Sequence, residues 1–516
     1  MDAGTVLSGP TASPSLSAPA RTFPSAGRAG APPRLLETER YAAARSPKRA
    51  RDGALVPASH RTVPPASVSF DGIGSFEEPL LTPPDTNGDV GATQFLQIVN
   101  KRWSVWTKTG IRLRPAMSEA TPWSSKPRHD FCRTHDFGDP VVVYDALAGR
   151  WLLSFFAFQL DDEGEPLRPF FECVAVSRTS DALGSWCAYS FRMDGLSRAG
   201  FPDYPKFGVW PDGYYMTANV FGPQNRAGAL GVVFERSRML RCKTARSRGW
   251  IVPHAFGMLP ADLDGTTPPP AGSPGLFVIP DTRRFALRLY RLSARWSRRS
   301  AVVSRPIVIP VAQYNADPCT DPGGLCIVQP GSSARLDALA HDQLMYRLAY
   351  RNFGDHESLL VNQTVSPGGA TPSQAAIRFY EIRNPRGSPV LYQQGTYSPD
   401  ADSRWLGSAA FDKVGDIAVL FNVSSSSTYP SLRYSARAPT DPLGSLAQGE
   451  ATLMPGGGSL QPVFGVTLGR WGDYAELSTD PTDDCTFWFT GEYVPSSMPA
   501  TDWRTRIGAF RLPGCS

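Results

Sequence analysis

The feature that most constrains this chain is a recurring segment: a polar opening, a short apolar strand, a turn and a second apolar strand. Its clearest copy is Arg404 to Ser425, RWLGSAAFDKVGDIAVLFNVSS, where an Asp-containing turn (Asp412 to Asp416) joins two strands as a β-hairpin. Related segments begin at Gly88, Gly138, Asp203, Gly275, His341 and Arg470, and successive starts lie 50, 65, 72, 66, 63 and 66 residues apart. A near-period of this length marks an array of supersecondary units. A unit built only of strands and turns cannot cover its own faces, so several must pack around an axis. The expected fold is all-β, a β-propeller over residues 68–516, with seven blades, or six if the weakest copy at Gly275 is not a separate unit. Val68 to Pro84 reads as an extended lead-in that completes a blade at ring closure.

Composition agrees with that reading. The chain is 41% hydrophobic and carries 49 Pro and 47 Gly, as a turn-rich globular protein does. No run approaches the ~18 apolar residues that a membrane span needs. The net charge is +5, and much of the excess lies in residues 1–67, where Arg21, Arg28, Arg34, Arg40, Arg45, Lys48, Arg49, Arg51 and Arg61 stand among many Pro, Ala and Ser. Such a stretch buries too little apolar surface to order itself and is expected to be a disordered tail or tether. Its charges are spread out without interleaved aromatic residues, so nucleic acid is not an expected partner.

Eight cysteines are present. Cys319 and Cys326 flank a DPGG turn and can close a small loop. A bridge between Cys485 and Cys515 would pin the terminal strand to its blade. Cys132 is as readily the partner of Cys173 as it is a metal ligand beside His129, His135 and Asp139, whose spacing matches no standard zinc pattern. Disulfide use implies an oxidising compartment, so the expected location is secreted or periplasmic, although residues 1–30 contain no continuous apolar signal core. A monomer is expected.

Candidate site residues follow from the architecture. In a propeller the openings of the innermost strands converge on one end of the axis, and here those openings are charged. Arg470, Asp473 and Tyr474 in RWGDY offer an anion clamp with an acid or base. Asp203 and Lys206 in DYPK set a carboxylate and an amine either side of a rigid Pro, where each shifts the other's pKa. His356 and Glu357 in GDHES supply a His between acids, as general acid/base steps require. Asp203, Asp473, Tyr474, His356 and Glu357 are the expected catalytic set. Arg404, Arg470, Lys206 and Asp139 are the expected ligand-binding set, suited to a polar, anionic or sugar-like molecule. For each residue alone, salt bridging between blades or turn capping explains the sequence equally well. Asp85, Asn87 and Asp89 in DTNGD place oxygens at alternate positions, as Ca²⁺ loops do. Asn87-Gly88 is equally a hairpin turn, and Leu96 at the twelfth position excludes an EF-hand. Phosphate-loop, Rossmann and G-x-S-x-G patterns are absent.

The segments GDPVVVYD, DYPKFGVWPDGYYMTAN, MYRLAYRNFGDHESLLVNQTV, QQGTYSPD, STYPSLRY and RWGDYAELSTDPTDDCTFWFTGEY together resemble a family of bacterial, mostly exported propeller-like proteins. Thr179 to Trp186 is similar to the Asp-box turn of sialidase-type propellers, and Asp441 to Ser445 echoes it. The resemblance spans about residues 80–515 and implies fold and export. It supplies no catalytic residues, and the F/Y-R-I-P opening of sialidases is missing. Three functions follow as expectations: a hydrolase or lyase acting on a glycan or other polar ligand, the lyase variant using His356 and Tyr474; a non-catalytic recognition or adhesion propeller with the basic tail as tether; and a small-molecule cyclase or isomerase.

Overall fold

The computed structural model describes residues 6–22, 54–55, 62–77, 82–198, 200–222, 225–298, 300–319, 324–340, 343–368, 374–462, 468–499 and 502–516. Antiparallel sheets dominate, and the innermost strand of each is numbered here in chain order: β1 (Asn87–Val90), β2 (Asp136–Asp145), β3 (Phe201–Trp210), β4 (Leu259–Leu263), β5 (Met345–Asn352), β6 (Ser403–Phe411) and β7 (Glu476–Thr479). Each innermost strand begins a run of antiparallel neighbours that steps outward, as in β2, Arg150–Leu160, Pro166–Ser177 and Trp186–Arg192. Neighbouring innermost strands touch in cyclic order, and β7 returns to β1, so the ring is closed. This is a β-propeller.

Inner strands such as Gln94–Val99 and β6 are buried on both faces, and their apolar residues pack between sheets. Leu360, Phe379, Phe411, Val419 and Phe421, for example, fill the layer between the fifth and sixth sheets. The fourth and fifth sheets are also joined directly, through parallel pairing of Ala261 with Leu348 and Leu263 with Tyr350.

The lead-in strand Val68–Gly74 pairs with Arg504–Phe510 and so forms the outer strand of the last sheet. The early chain and the late chain are thereby held in one sheet, and Cys485–Cys515 ties that sheet to the residues beyond it. The other bridges are Cys132–Cys173, Cys187–Cys242 and Cys319–Cys326, which leaves no free cysteine among the described residues. Because Cys132 is consumed in a bridge, the metal reading of His129, His135 and Asp139 falls. The His135 ring nitrogens instead face Thr134 and Gln159.

The expectation of a disordered tail over residues 1–67 needs correction where the chain is described. Leu7–Ala12 adds to the third sheet beside Ala245–Pro253, and Ser15–Leu16 adds to the second beside Trp186–Arg192. Farther on, the Thr396 amide donates to the Ala54 carbonyl on the fifth sheet. Outer edge strands present unpaired N–H and C=O groups, and a polar segment with no core of its own can satisfy them. Residues 1–5, 23–53 and 56–61 lie outside the described residues. Among the described residues no helix is long and apolar enough to cross a membrane.

Candidate functional site

Apart from β4 and β5, adjacent innermost strands are not joined by a backbone ladder. Their amides therefore need side-chain acceptors from the next sheet, and acidic and amide residues provide them. Val142 N donates to Asn87 Oδ1 at 2.7 Å and Tyr144 N to Asp89 Oδ2 at 2.6 Å. Val209 N donates to Asp262 Oδ1 at 2.8 Å, Phe411 N to Asp264 Oδ2 at 3.1 Å and Asp473 N to Asp85 Oδ1 at 2.8 Å. Much of the charge that opens the repeats thus fastens one sheet to the next.

Asp85, Asn87 and Asp89, the residues of the Ca²⁺ expectation, take part in this fastening. Their remaining oxygens accept from the Asn100 side-chain amide, at Asp85 Oδ2, and from Val90 N in the same strand, at Asp89 Oδ1. No group of three His, Cys, Asp or Glu side chains suited to a metal occurs among the described residues.

At the end of the axis where the innermost strands start, a subset of the expected residues does come together. Asp139 and Asp203 accept the same N–H, that of Tyr204, at 3.0 and 2.9 Å. Lys206 is fully buried, and its Nζ lies 3.5 Å from the centroid of the Tyr204 ring and 3.7 Å from that of Tyr474. The two phenols are held by carbonyls, Tyr204 OH donating to Asp473 O at 3.3 Å and Tyr474 OH to Pro140 O at 3.0 Å. Arg470 Nη1 sits 2.5 Å from Asp473 Oδ1 and 3.2 Å from Asp337 Oδ2. Its Nη1 is already engaged by both carboxylates, so the expected open anion clamp is instead a buried ion pair.

Backbone strain marks the same end. Asp85, Asp139, Tyr204 and Leu406 have φ of 46°, 46°, 58° and 50°. Non-glycine residues there cost on the order of 1–2 kcal/mol each and persist only when surrounding contacts fix them. In β2, β3 and β6 a register break accompanies the strained residue, which turns the local side chains toward the axis.

Burial governs the electrostatics. Desolvation, aided by the charge of Asp473, raises Asp203 from 3.8 to about 6. Burial lowers Lys206 from 10.5 to about 8, against the pull of Asp139, Asp473, Asp85 and Asp203. Burial also pushes Asp85 and Asp139 well above the usual carboxylate range. Of these residues, Asp203 is partly exposed, while Asp85, Asp139 and Asp473 are buried. The group can therefore exchange a proton near neutrality through Asp203, with a cation held behind it on two aromatic faces.

Three expected residues lie elsewhere. Asn352, at the far end of β5, pairs with Glu357, so His356 and Glu357 sit in the hairpin at the opposite end of the strand, roughly 20 Å along it. His356 bonds Asp355 at 2.7 Å and stacks on Phe353, while Glu357 takes Arg386 at 2.7 Å and the Tyr350 hydroxyl. Arg404 does open β6, but its side chain turns into the layer between the fifth and sixth sheets. There it meets Glu450 at 2.8 Å and Asp400 at 2.7 Å, over the rings of Tyr397 and Phe421.

Sequence reasoning also missed contributors. Glu172, buried with its pKa pushed well up by burial, comes from Pro166–Ser177, a strand away from the repeat openings. Glu492, which accepts Gly472 N at 2.9 Å, comes from Phe487–Tyr493. Deeper in the ring, Arg347 holds Asp262 at 2.8 Å and Asp264 at 2.6 Å, with Glu476 at 3.7 Å.

No protein-family model matches the chain, and no curated protein matches it. Solved structures resemble it weakly. An endo-arabinase from Bacteroides thetaiotaomicron is 13% identical, covering 60% of this chain and 95% of that one with a TM-score of 0.29. A polysaccharide lyase of family PL25, an ulvan lyase, is 10% identical over 90% of this chain and 96% of its own, with a TM-score of 0.36. The catalytic domain of a Coprinopsis cinerea GH62 alpha-L-arabinofuranosidase is 13% identical over 76% of this chain and 95% of its own, with a TM-score of 0.29. These three are glycan-processing enzymes, and at such values the likeness assigns neither activity nor site residues to this chain.

Proposed function

We propose that the strand-start end of the axis binds a glycan and processes it by proton transfer through Asp203, in a secreted or periplasmic setting. The observation that carries this reading is the partly exposed Asp203, raised to about 6, sharing the Tyr204 amide with the buried Asp139. Two carboxylates that accept one N–H are adjacent and leave no room for a sugar between them, unlike the ~5–9 Å pairs of two-carboxylate glycosidases. Asp139 and Asp203 therefore act as one acid/base unit, with Lys206 supplying positive charge behind it. Hydrolysis and elimination both remain within the reach of such a unit. Four disulfides favour the exported setting.

The test is turnover of a panel of neutral and acidic polysaccharides, read as new reducing ends and as unsaturated product. Wild-type protein should cut at least one polymer, and Asp203→Asn should lose about a hundredfold or more of that rate while keeping the fold. A wild-type protein that binds and cuts none of them would remove the reading. Binding without turnover, unchanged in Asp203→Asn, would leave the non-catalytic recognition propeller.

A further inference from the structure

Beside the acid/base unit stands a lysine in a backbone conformation that favours glycine. Lys101, in the turn between Gln94–Val99 and Arg102–Thr107, has φ 66° and is partly exposed. Its neighbour Asn100 is part of the buried site: Asn100 Oδ1 accepts Asp139 N at 2.8 Å and Asn100 Nδ2 donates to Asp85 Oδ2 at 2.8 Å. The turn places the Lys101 ammonium 5.1 Å from the centroid of Phe137, two residues before Asp139. Phe137 stacks on Phe158 at 4.3 Å, and Phe158 meets Phe201 at 4.9 Å, two residues before Asp203. An aromatic run therefore links the two carboxylates at the mouth, with Phe137 and Phe201 partly exposed and a cation at its Phe137 end. The nearby Glu119 accepts the Lys101 amide rather than its ammonium, and burial raises the Glu119 pKa well up, favouring its neutral form. No side-chain carboxylate forms a close ion pair with the ammonium among the described residues, although Glu119 is near enough for the Lys101 charge to pull its pKa down against burial.

We propose that this mouth takes an acidic sugar, its carboxylate or sulfate met by the Lys101 ammonium and the apolar face of its ring lying against the partly exposed rings of Phe137 and Phe201. The inference rests on the glycan reading above and narrows its substrate class. A point cation suits either anion, and the π-face of an aromatic ring suits the C–H face of a sugar ring. Glycine would make the same turn with less strain, so Lys101→Gly removes the ammonium without straining the turn.

The experiment uses the full chain and three polymers: polygalacturonate for carboxylate, dextran sulfate for sulfate and dextran as the neutral control, with affinity measured by gel retardation. The wild type should bind at least one of the anionic polymers about tenfold or more tighter than dextran, and the polymer preferred identifies the anion. Lys101→Gly should lose about tenfold for that polymer while its thermal midpoint stays level or rises. Phe201→Ala should weaken anionic and neutral polymers alike. Unchanged binding by Lys101→Gly, or a wild-type preference for dextran, overturns the inference. If dextran or another neutral glycan is bound and cut, with the rate lost in Asp203→Asn, the glycan reading stands and the acidic-sugar inference alone falls. If none of the three polymers is bound, this inference falls, and the separate turnover panel decides the reading beneath it.

Discussion

Lys206 holds its ammonium 3.5 Å from the centroid of the Tyr204 ring, and the Tyr474 ring closes the other side at 3.7 Å. An amine with two quadrupoles and four carboxylates around it stays partly charged at neutral pH although it is buried. With Asp203 at about 6 and Lys206 at about 8, proton abstraction by Asp203 next to a charged Lys206 gives a bell-shaped rate profile with limbs at those two values. Lys206→Met removes a charge that lowers the Asp203 pKa. The acid limb should then move upward by about one unit and the alkaline limb should vanish, as measured by initial rate against pH. An unmoved acid limb would separate Lys206 from the acid/base unit.

The pH dependence of folding has the opposite sign to that of most proteins stabilised by surface ion pairs. Burial raises Asp203 from 3.8 to about 6, Asp89 from 3.8 to about 7 and Asp412 from 3.8 to about 8. Between 3.8 and those values the folded chain keeps protons that the unfolded chain has released. Stability then falls as pH rises through that window. Thermal midpoints measured from mildly acidic to mildly alkaline pH should decline. A midpoint that climbs between pH 5 and pH 8 would mean that these carboxylates are ionised and well paired in the folded state.

The repeat made much of this legible. Asp139, Asp203, Lys206, Arg470, Asp473 and Tyr474 stand at the openings of innermost strands, and a ring must bring such openings together. His356 misled because it lies in the hairpin that follows β5 rather than at the strand's start. Arg404 misled because strand alternation turns its side chain into the layer between sheets. Glu172 and Glu492 reach the axis from strands farther out, so no period in the sequence points to them. Lys101 is ordinary in sequence, and only its backbone angle sets it apart.

Because they sit at the wrong end of β5, His356 and Glu357 should be dispensable for catalysis. His356→Ala should leave kcat and KM within about twofold of wild type, as surface substitutions away from a site do. Glu357→Gln removes charge from contacts with Arg386 and Tyr350, and its effect should be confined to stability. A large fall in kcat for His356→Ala would place the chemistry at the other end of the ring.

Arg347 is the axial brace. It is nearly fully buried and holds Asp262 and Asp264, whose other oxygens accept Val209 N and Phe411 N from two further sheets. Arg347→Met leaves the buried Asp262, Asp264 and Glu476 without their cation and should lower stability by about 3–5 kcal/mol. Denaturant unfolding measures this directly. Pairing Arg347→Met with Asp262→Asn and Asp264→Asn should restore part of the loss, because the uncompensated charge is then gone.

Ring closure yields the last test. The final sheet contains Val68–Gly74 from early in the chain and Arg504–Phe510 from near its end, and their pairing keeps the first and last sheets together. Cys485–Cys515, 30 residues apart, fastens the segment after Arg504–Phe510 to the turn before Phe487–Tyr493. A loop of that length restricts the unfolded chain by roughly 3–4 kcal/mol. The double variant Cys485→Ser/Cys515→Ser should therefore lose about that much stability. If closure is the weak point of the ring, amide exchange should accelerate first in Val68–Gly74 and Arg504–Phe510, while the third sheet, far from the seam, keeps its protection. Uniform acceleration in every sheet would show instead that the ring opens as one cooperative unit and that the bridge acts on the unfolded chain alone.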